Sequence, residues 1–476
     1  MIGFTTSRAS RSELRASLIP GLLAATAGAA VALGGKWALL AIAAVAAPFS
    51  VLFMKHALRD RTASAHFLSI EIPLLFVLFS DLTVRIRSTD ALSANPFDAA
   101  GILRAALQGI ALVLALFALL SPPADTWQQH RLTTRPFRLY LVYVLIALVG
   151  VAMSALPIVT AYRVFEVVSA VAVIAGALHV GGADGLRRIE KTLFWWLVVV
   201  LGVTWLNVLI APHSALLHVF NSPIHWRIQS AFPAIASNTV GFLGVVLALY
   251  SMARLLPPHR ADFPRRGVLI LLSVFGVLTL IGAQYRTGYV AFAAGLVVIF
   301  ALRGRKTFAT FAVAGMLVFA IWGPTPATAV GPFVSRGANS AQLLQLNGRV
   351  GWWALAIPAW KTSPVVGKGL LTGTRLALDA GGFGDTSTIH STWIEALVDT
   401  GLLGIVFLAL ALLVALKRSL RLATRVGGDM APLLILVAIA GRSFTGQTID
   451  SFRIITLVFF WVALSLRDEG SPSLRV

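Results

Sequence analysis

His390 stands where a polar, Gly-rich stretch meets an apolar run, in the string His390-Ser391-Thr392-Trp393-Ile394-Glu395 that continues through Asp399 to Gly401-Leu402-Leu403-Gly404. An imidazole at the end of an apolar helix can sit neutral near pH 7 and accept a proton, which is general-base chemistry. Taken alone, such a histidine reads more simply as an interfacial cap. Glu395 and Asp399 follow it, but neither shares its helical face cleanly, so an orienting role for them stays open. Arg286 sits in Gln284-Tyr285-Arg286-Thr287-Gly288, a short break between two apolar runs. Its guanidinium can snorkel to an interface as an anchor, or grip a phosphate through two parallel hydrogen bonds. Arg349 opens Gly348-Arg349-Val350-Gly351-Trp352-Trp353, and Pro364-Val365-Val366-Gly367-Lys368-Gly369 follows. That Gly-rich string matches no nucleotide motif. Arg85, Arg87 and Arg163 complete a set of cations at loop-proximal positions. Together they describe a cationic cavity for an anion, with Glu71 and Glu166 as counter-ions. His213, His218 and His225 share one loop, but their spacings do not align them on a helical face and no acidic residue accompanies them, so a metal site there is disfavoured.

The elements that must hold these residues are membrane helices. Of 476 residues, 58% are hydrophobic and 12% charged, about half the charge density of a soluble domain. A soluble enzyme, a disordered chain and a fibrous protein are excluded. With no cysteine, disulfides, thiolate nucleophiles and Cys-ligated metals are excluded too. Fourteen apolar runs approach the length needed to cross about 30 Å of hydrocarbon: 18–34, 36–54, 66–82, 101–121, 138–157, 162–180, 192–211, 232–253, 267–283, 287–302, 307–323, 393–416, 431–446 and 452–466. They lack strand alternation, so they read as helices. Short pairs can merge, which gives an all-α polytopic membrane protein of 12–14 transmembrane helices. The first run follows Arg8, Arg11 and Arg15 and resembles a signal peptide, but only Gly34-Gly35-Lys36 separates it from the next, so it reads as a retained helix.

The net charge of +20 then divides. When loops are numbered alternately, 25 of the 39 Lys and Arg residues fall on one side, which the positive-inside rule places in the cytoplasm with both termini. This is topogenic charge beside anionic lipid and gives no reason to expect nucleic acid as a partner. The other 14 lie on the opposite side, among them Arg85, Arg163, Arg227, Arg286, Arg349 and Arg442. The chain reads as an N-terminal transmembrane bundle (1–323), a long outer loop with surface helices (324–392, one helix near 348–361) and C-terminal transmembrane helices (393–476). A loop that long between short connections is usually functional.

The three strings together resemble the O-antigen ligase and polymerase superfamily. His390, Ser391 and nine further residues lead to Gly401-x-x-Gly404, the pattern of bacterial O-antigen ligases. Arg286-Thr287-Gly288 is similar to the superfamily's Arg-Thr-Gly segment. Arg349, Trp353, Pro364, Gly367 and Gly369 keep the spacing of its Arg-x3-Trp and Pro-x2-Gly-x-Gly stretch. Ser391 departs from the Asn that many relatives carry, which removes one amide donor.

The resemblance implies a GT-C-type glycosyltransferase of the bacterial inner membrane with its site on the periplasmic face. It would transfer O-antigen en bloc from undecaprenyl diphosphate to the lipid A–core oligosaccharide, with no cofactor and no metal; the sequence contains no Asp-x-Asp motif. Such transfer needs a base for the acceptor hydroxyl and cations for the leaving diphosphate. His390 is the expected base. Arg286 and Arg349 are the expected clamps, with Arg85 and Arg163 as further contacts and Glu395 and Asp399 as possible orienting residues. No covalent nucleophile stands out, so a single inverting displacement is expected. The rival readings are an O-antigen polymerase or protein O-oligosaccharyltransferase using the same donor and, from another class, a lipid-linked glycan transporter with a structural His390.

Overall fold

A computed structural model describes residues 67–82, 98–124, 134–219, 224–256, 264–304, 349–383, 388–425 and 427–466. Three of the apolar runs (18–34, 36–54 and 307–323) lie outside these residues, as do Arg85 and Arg87. The remaining eleven are helical. The elements are α1 (Ile72–Asp81, entered through a π-turn at Phe67–Glu71), α2 (Ala99–Leu120), α3 (Arg135–Met153), α4 (Pro157–Ile210), α5 (Ser237–Leu255), α6 (Arg266–Ala283), α7 (Arg286–Arg303), α8 (Arg349–Lys361), α9 (Thr372–Ala380), α10 (Thr392–Thr424), α11 (Ala431–Ser443) and α12 (Ile454–Ser465). The chain is an all-α polytopic membrane protein, with seven helices among the described residues long and apolar enough to span. A small hairpin, β1 (Leu216–His218) with β2 (Trp226–Ile228), interrupts the loop after α4.

Local chemistry sets the helix boundaries. Asp98 caps α2 by accepting the Gly101 N–H at 2.8 Å, and prolines open α1, α3, α4 and α11, where the missing N–H costs no intrahelical bond. The 54 residues of α4 are two spans joined at Gly182, whose φ of 52° breaks the helix near the Gly181-Gly182 pair. This matches the two runs read at 162–180 and 192–211.

The core is built around α5 and α12. Ile454–Leu464 are all buried, as expected of a helix that is apolar on every side. α5 packs closely on α6 because Gly244 and Gly276 face one another; a Cβ on either would lie within 2.7 Å of the other's carbonyl oxygen. The outer helices instead turn Phe117, Leu120 and Leu209 outward, 65–82% exposed, as a lipid-facing surface requires. Both ends of the bundle hold buried charge. Far from His390, Arg254 on α5 bonds Asp429 and, very closely, Glu190, while Arg188 bonds Glu71 at 2.6 Å. The other end gathers His390 with the starts of α7 and α12 and the end of α11.

Candidate active site

His390 lies one residue before the N-cap of α10 with φ of 58°, a conformation uncommon for a residue with a Cβ. It is held there by its own backbone. The His390 N–H donates to Glu395 Oε1 at 2.9 Å, so Glu395 reaches back over the first turn of the helix. Gln447 donates a close hydrogen bond to the other carboxylate oxygen, and Arg453 donates to Gln447 Oε1 at 3.1 Å. Ser391, in place of an asparagine, caps α10 through Ile394 N at 3.5 Å, a long contact. Thr392 anchors the turn from behind, donating to Asp450 Oδ1 at 2.9 Å. The ring is fixed independently: Nδ1 sits 3.0 Å from Thr388 Oγ1, and the Trp352 ring lies 5.3 Å away between centroids.

The same helix is interrupted ten residues on. Gly401 has φ of 67°, and the chain Pro364–Gly369 supplies the hydrogen bonds that the break removes. Lys368 and Gly369 donate to the carbonyls of Val398 and Asp399, while Leu402 and Leu403 donate to those of Pro364 and Val365. The approach is close enough that a Cβ on Gly401 would lie 2.3 Å from the Val365 backbone, and one on Gly367 2.4 Å from that of Asp399. The two glycine motifs are therefore one joint. With both amides engaged, Pro364–Gly369 is a stitch across a broken helix, and its Lys368 and Gly369 amides are unavailable to cradle phosphate. Asp399, at that break, accepts from Leu371 N (2.8 Å) and Thr374 N (2.7 Å). It caps α9 and does not touch His390.

Four arginines converge on this end. Arg349 opens α8 and lies within electrostatic reach of His390, Arg442 and Arg286. Arg227 on β2 donates to Ala283 O at 3.2 Å and Asn238 Oδ1 at 2.9 Å, and its charge is felt from Arg286. Arg442, buried at the end of α11, donates to Asn238 O and Thr239 Oγ1, each at 3.0 Å, and to Gln447 O at 3.0 Å; its guanidinium stacks 4.6 Å from the Phe242 ring. Among the described residues no carboxylate lies within ion-pair distance of Arg227, Arg349 or Arg442. Arg442 and Arg227 were legible only as cations on the disfavoured side of the positive-inside rule. Gln447 gave no sequence signal.

Arg163 is placed differently. It bonds Glu166 Oε2 at 2.8 Å, and Arg104 takes Oε1 at 2.5 Å, so one fully buried carboxylate sits between two guanidiniums. Arg375 on α9 feels the charge of Arg163, so this trio borders the His390 region. Glu166 is a counter-ion of the expected outer set, whereas Glu71 pairs Arg188 at the other end of the bundle. His218 and His225 stack 6.2 Å apart on the hairpin, and no group of three or more potential metal ligands occurs among the described residues.

The electrostatics follow from this placement. Burial holds the His390 imidazole down to about 4, and Arg349 and Arg442 push the same way. The ring is therefore neutral at pH 7 with a lone pair available. Burial also lowers Arg349, with Arg442 and Arg286 adding to it, and lowers Arg227 to about 10. Both remain charged at neutral pH. The site thus offers a neutral base beside Arg349 and Arg442, guanidiniums with no carboxylate at ion-pair distance among the described residues. Residues 271–409 match the O-antigen ligase family. That span holds Arg286, Arg349, His390, Glu395 and Asp399 and supports an O-antigen ligase family assignment, with a ligase- or polymerase-type activity. Arg227, Arg442 and Gln447 lie outside it and complete the site from elsewhere in the chain. No curated protein matches the chain.

Proposed function

We propose that the protein is an O-antigen ligase that transfers a glycan from undecaprenyl diphosphate to the lipid A–core oligosaccharide. The observation that carries this reading is the neutral His390 beside Arg349 and Arg442, cations that lack a carboxylate partner among the described residues. A lipid diphosphate is the anion such a site would balance. His390 takes the proton of the acceptor hydroxyl as its oxygen forms the new bond to the anomeric carbon. The bond from that carbon to the diphosphate breaks, and its electron pair leaves on the diphosphate, which Arg286 and Arg349 hold. Charge-assisted bonds of this kind contribute about 1.5–3 kcal/mol each. This role takes the tautomer in which Nδ1–H donates to Thr388 Oγ1, leaving the lone pair on Nε2. Attack opposite the leaving group inverts the anomeric centre, and no step calls on a metal.

In this reading Glu395 orients His390 through its backbone amide, and Asp399 acts at one remove by fixing the start of α9. Arg163, engaged by Glu166, and Arg85, outside the described residues, are secondary contacts. The bundle would be of GT-C type in the bacterial inner membrane, with both termini cytoplasmic and the His390 end and the 324–392 segment in the periplasm. Reconstitution tests the activity: purified protein is given lipid-linked O-antigen and lipid A–core. Glycan appearing on lipid A–core supports the ligase, whereas glycan lengthening on the lipid diphosphate would make the protein a polymerase.

A further inference from the structure

Tyr285 has no role in the reaction above, yet it lies beside Arg349 and Arg442. It is the N-cap residue of α7, immediately before Arg286, and only 3% exposed. The preceding Gln284 adopts a left-handed conformation (φ 47°), locked by two hydrogen bonds from its side-chain amide to the carbonyls of Ile224 and Trp226, both 2.8 Å. The ring is then clamped by two glycines. A Cβ on Gly241 would lie 2.6 Å from Tyr285 Cβ, and one on Gly288 would lie 2.5 Å from Tyr285 Cδ1. The glycine of Arg286-Thr287-Gly288 therefore leaves room for the phenol in front of that string.

The clamp directs the hydroxyl to a place where Arg442 is close enough to donate to its oxygen, but where no acceptor for its proton lies at hydrogen-bond geometry among the described residues. A buried donor without an acceptor is uncommon and costly. The charged groups that bear on it are Arg349 and Arg442, the latter with its guanidinium carbon 5.7 Å from the ring centroid. Guanidiniums only donate. They can polarise the phenol oxygen, but they give its proton nowhere to go. The group that would complete the arrangement is an anion, which accepts from the hydroxyl and from the arginines together.

We propose that Tyr285 is a binding residue of this site, its hydroxyl donating a hydrogen bond to an anionic phosphate oxygen held among Arg286, Arg349 and Arg442. This rests on the lipid-diphosphate reading and adds to it a neutral donor that no motif specifies. Because the hydroxyl proton has no acceptor among the described residues, removing it leaves the empty protein about as stable.

The test is equilibrium binding of farnesyl diphosphate and of inorganic pyrophosphate to the full-length protein in lipid nanodiscs, with melting followed in parallel. Wild type, Tyr285→Phe and Arg349→Ala are compared. Tyr285→Phe is expected to weaken both ligands about tenfold or more, the loss of a hydrogen bond to a charged partner, with a nearly unchanged melting temperature. Binding at wild-type strength by Tyr285→Phe, while Arg349→Ala loses it, would overturn the Tyr285 assignment and leave the site reading intact. A loss confined to farnesyl diphosphate would place the hydroxyl on the lipid chain and overturn it too. A melting temperature lowered by several degrees in the empty variant would mean that the hydroxyl proton has an internal acceptor, and the assignment would fall on that ground. If wild type binds neither ligand, the site reading falls along with the proposal.

Discussion

The buried charges near Glu166 and those near His390 make opposite use of arginine. Arg104 and Arg163 share one carboxylate, and its two oxygens are taken at 2.5 and 2.8 Å. Removing Glu166 would strand two guanidiniums in the bundle, so this trio is held together by the one carboxylate it shares. Arg349 and Arg442 have no carboxylate at ion-pair distance among the described residues, and Arg442 is instead fastened to neutral carbonyls and a hydroxyl. Positive charge inside a membrane protein costs about 2.5–3.5 kcal/mol at a helix centre. A cluster that keeps that charge with no carboxylate at ion-pair distance among the described residues is the one the proposed function assigns to an external anion. Arginine count alone does not separate the two regions; the absence of a carboxylate at ion-pair distance among the described residues does.

Breaking each region should therefore give opposite signatures. The largest effect is expected for Glu166→Ala, which strands two arginines. Loss of one partner of a buried pair costs about 3–5 kcal/mol, and thermal unfolding in nanodiscs should show a large drop or failure to accumulate folded protein. Arg349→Ala should do the reverse. It relieves like-charge repulsion and leaves melting nearly unchanged, while transfer falls about 10²–10³-fold, as for loss of one preorganised charge-stabilising donor. If Arg349→Ala melted as badly as Glu166→Ala, the distinction between the regions would collapse.

The smallest effect is a displacement along the pH axis. With His390 at about 4 in the empty site, kcat/KM should stay level on acidification to well below its ordinary value of 6.5 and fall only near 4. Bound diphosphate offsets Arg349 and Arg442, so the acid limb of kcat should lie at higher pH than that of kcat/KM. The stability linkage has a definite sign. The unfolded imidazole binds a proton between about 6.5 and 4 while the folded one does not, so His390 withdraws stability as pH falls through that window. A kcat/KM limb near 6.5 would argue against the burial of a neutral His390 among cations.

Much of this was legible in the chain. Long apolar runs encode membrane helices directly, because lipid leaves the backbone no other way to satisfy itself. The pair of runs inside α4 was readable because the charged stretch holding Arg187, Arg188 and Lys191 separates them, whereas the break itself falls at Gly182. Arg286, Arg349 and His390 were found through motif spacing, and the structure brings them to one end of the bundle. Contacts between distant segments were not legible. Glu395 failed a helical-face argument that treated His390 as part of the helix, whereas His390 precedes it and is reached through its N–H. The Pro364–Gly369 string looked like a loop on its own, because its partner is a break at Gly401 that only the fold reveals. Gln447, Arg442 and Tyr285 lie far from the motifs' partners in the chain or carry no motif of their own, and nothing in their local sequence announces a shared target.

The central claim is that His390 is the base, and His390→Ala tests it most directly. The variant is expressed in a host lacking its own ligase, its membrane insertion is verified, and lipopolysaccharide is resolved by gel. A general base contributes about 10²–10⁴-fold, so the expected result is loss of long-chain lipopolysaccharide with lipid-linked glycan accumulating. Persistent long-chain lipopolysaccharide from a correctly inserted His390→Ala protein would contradict it.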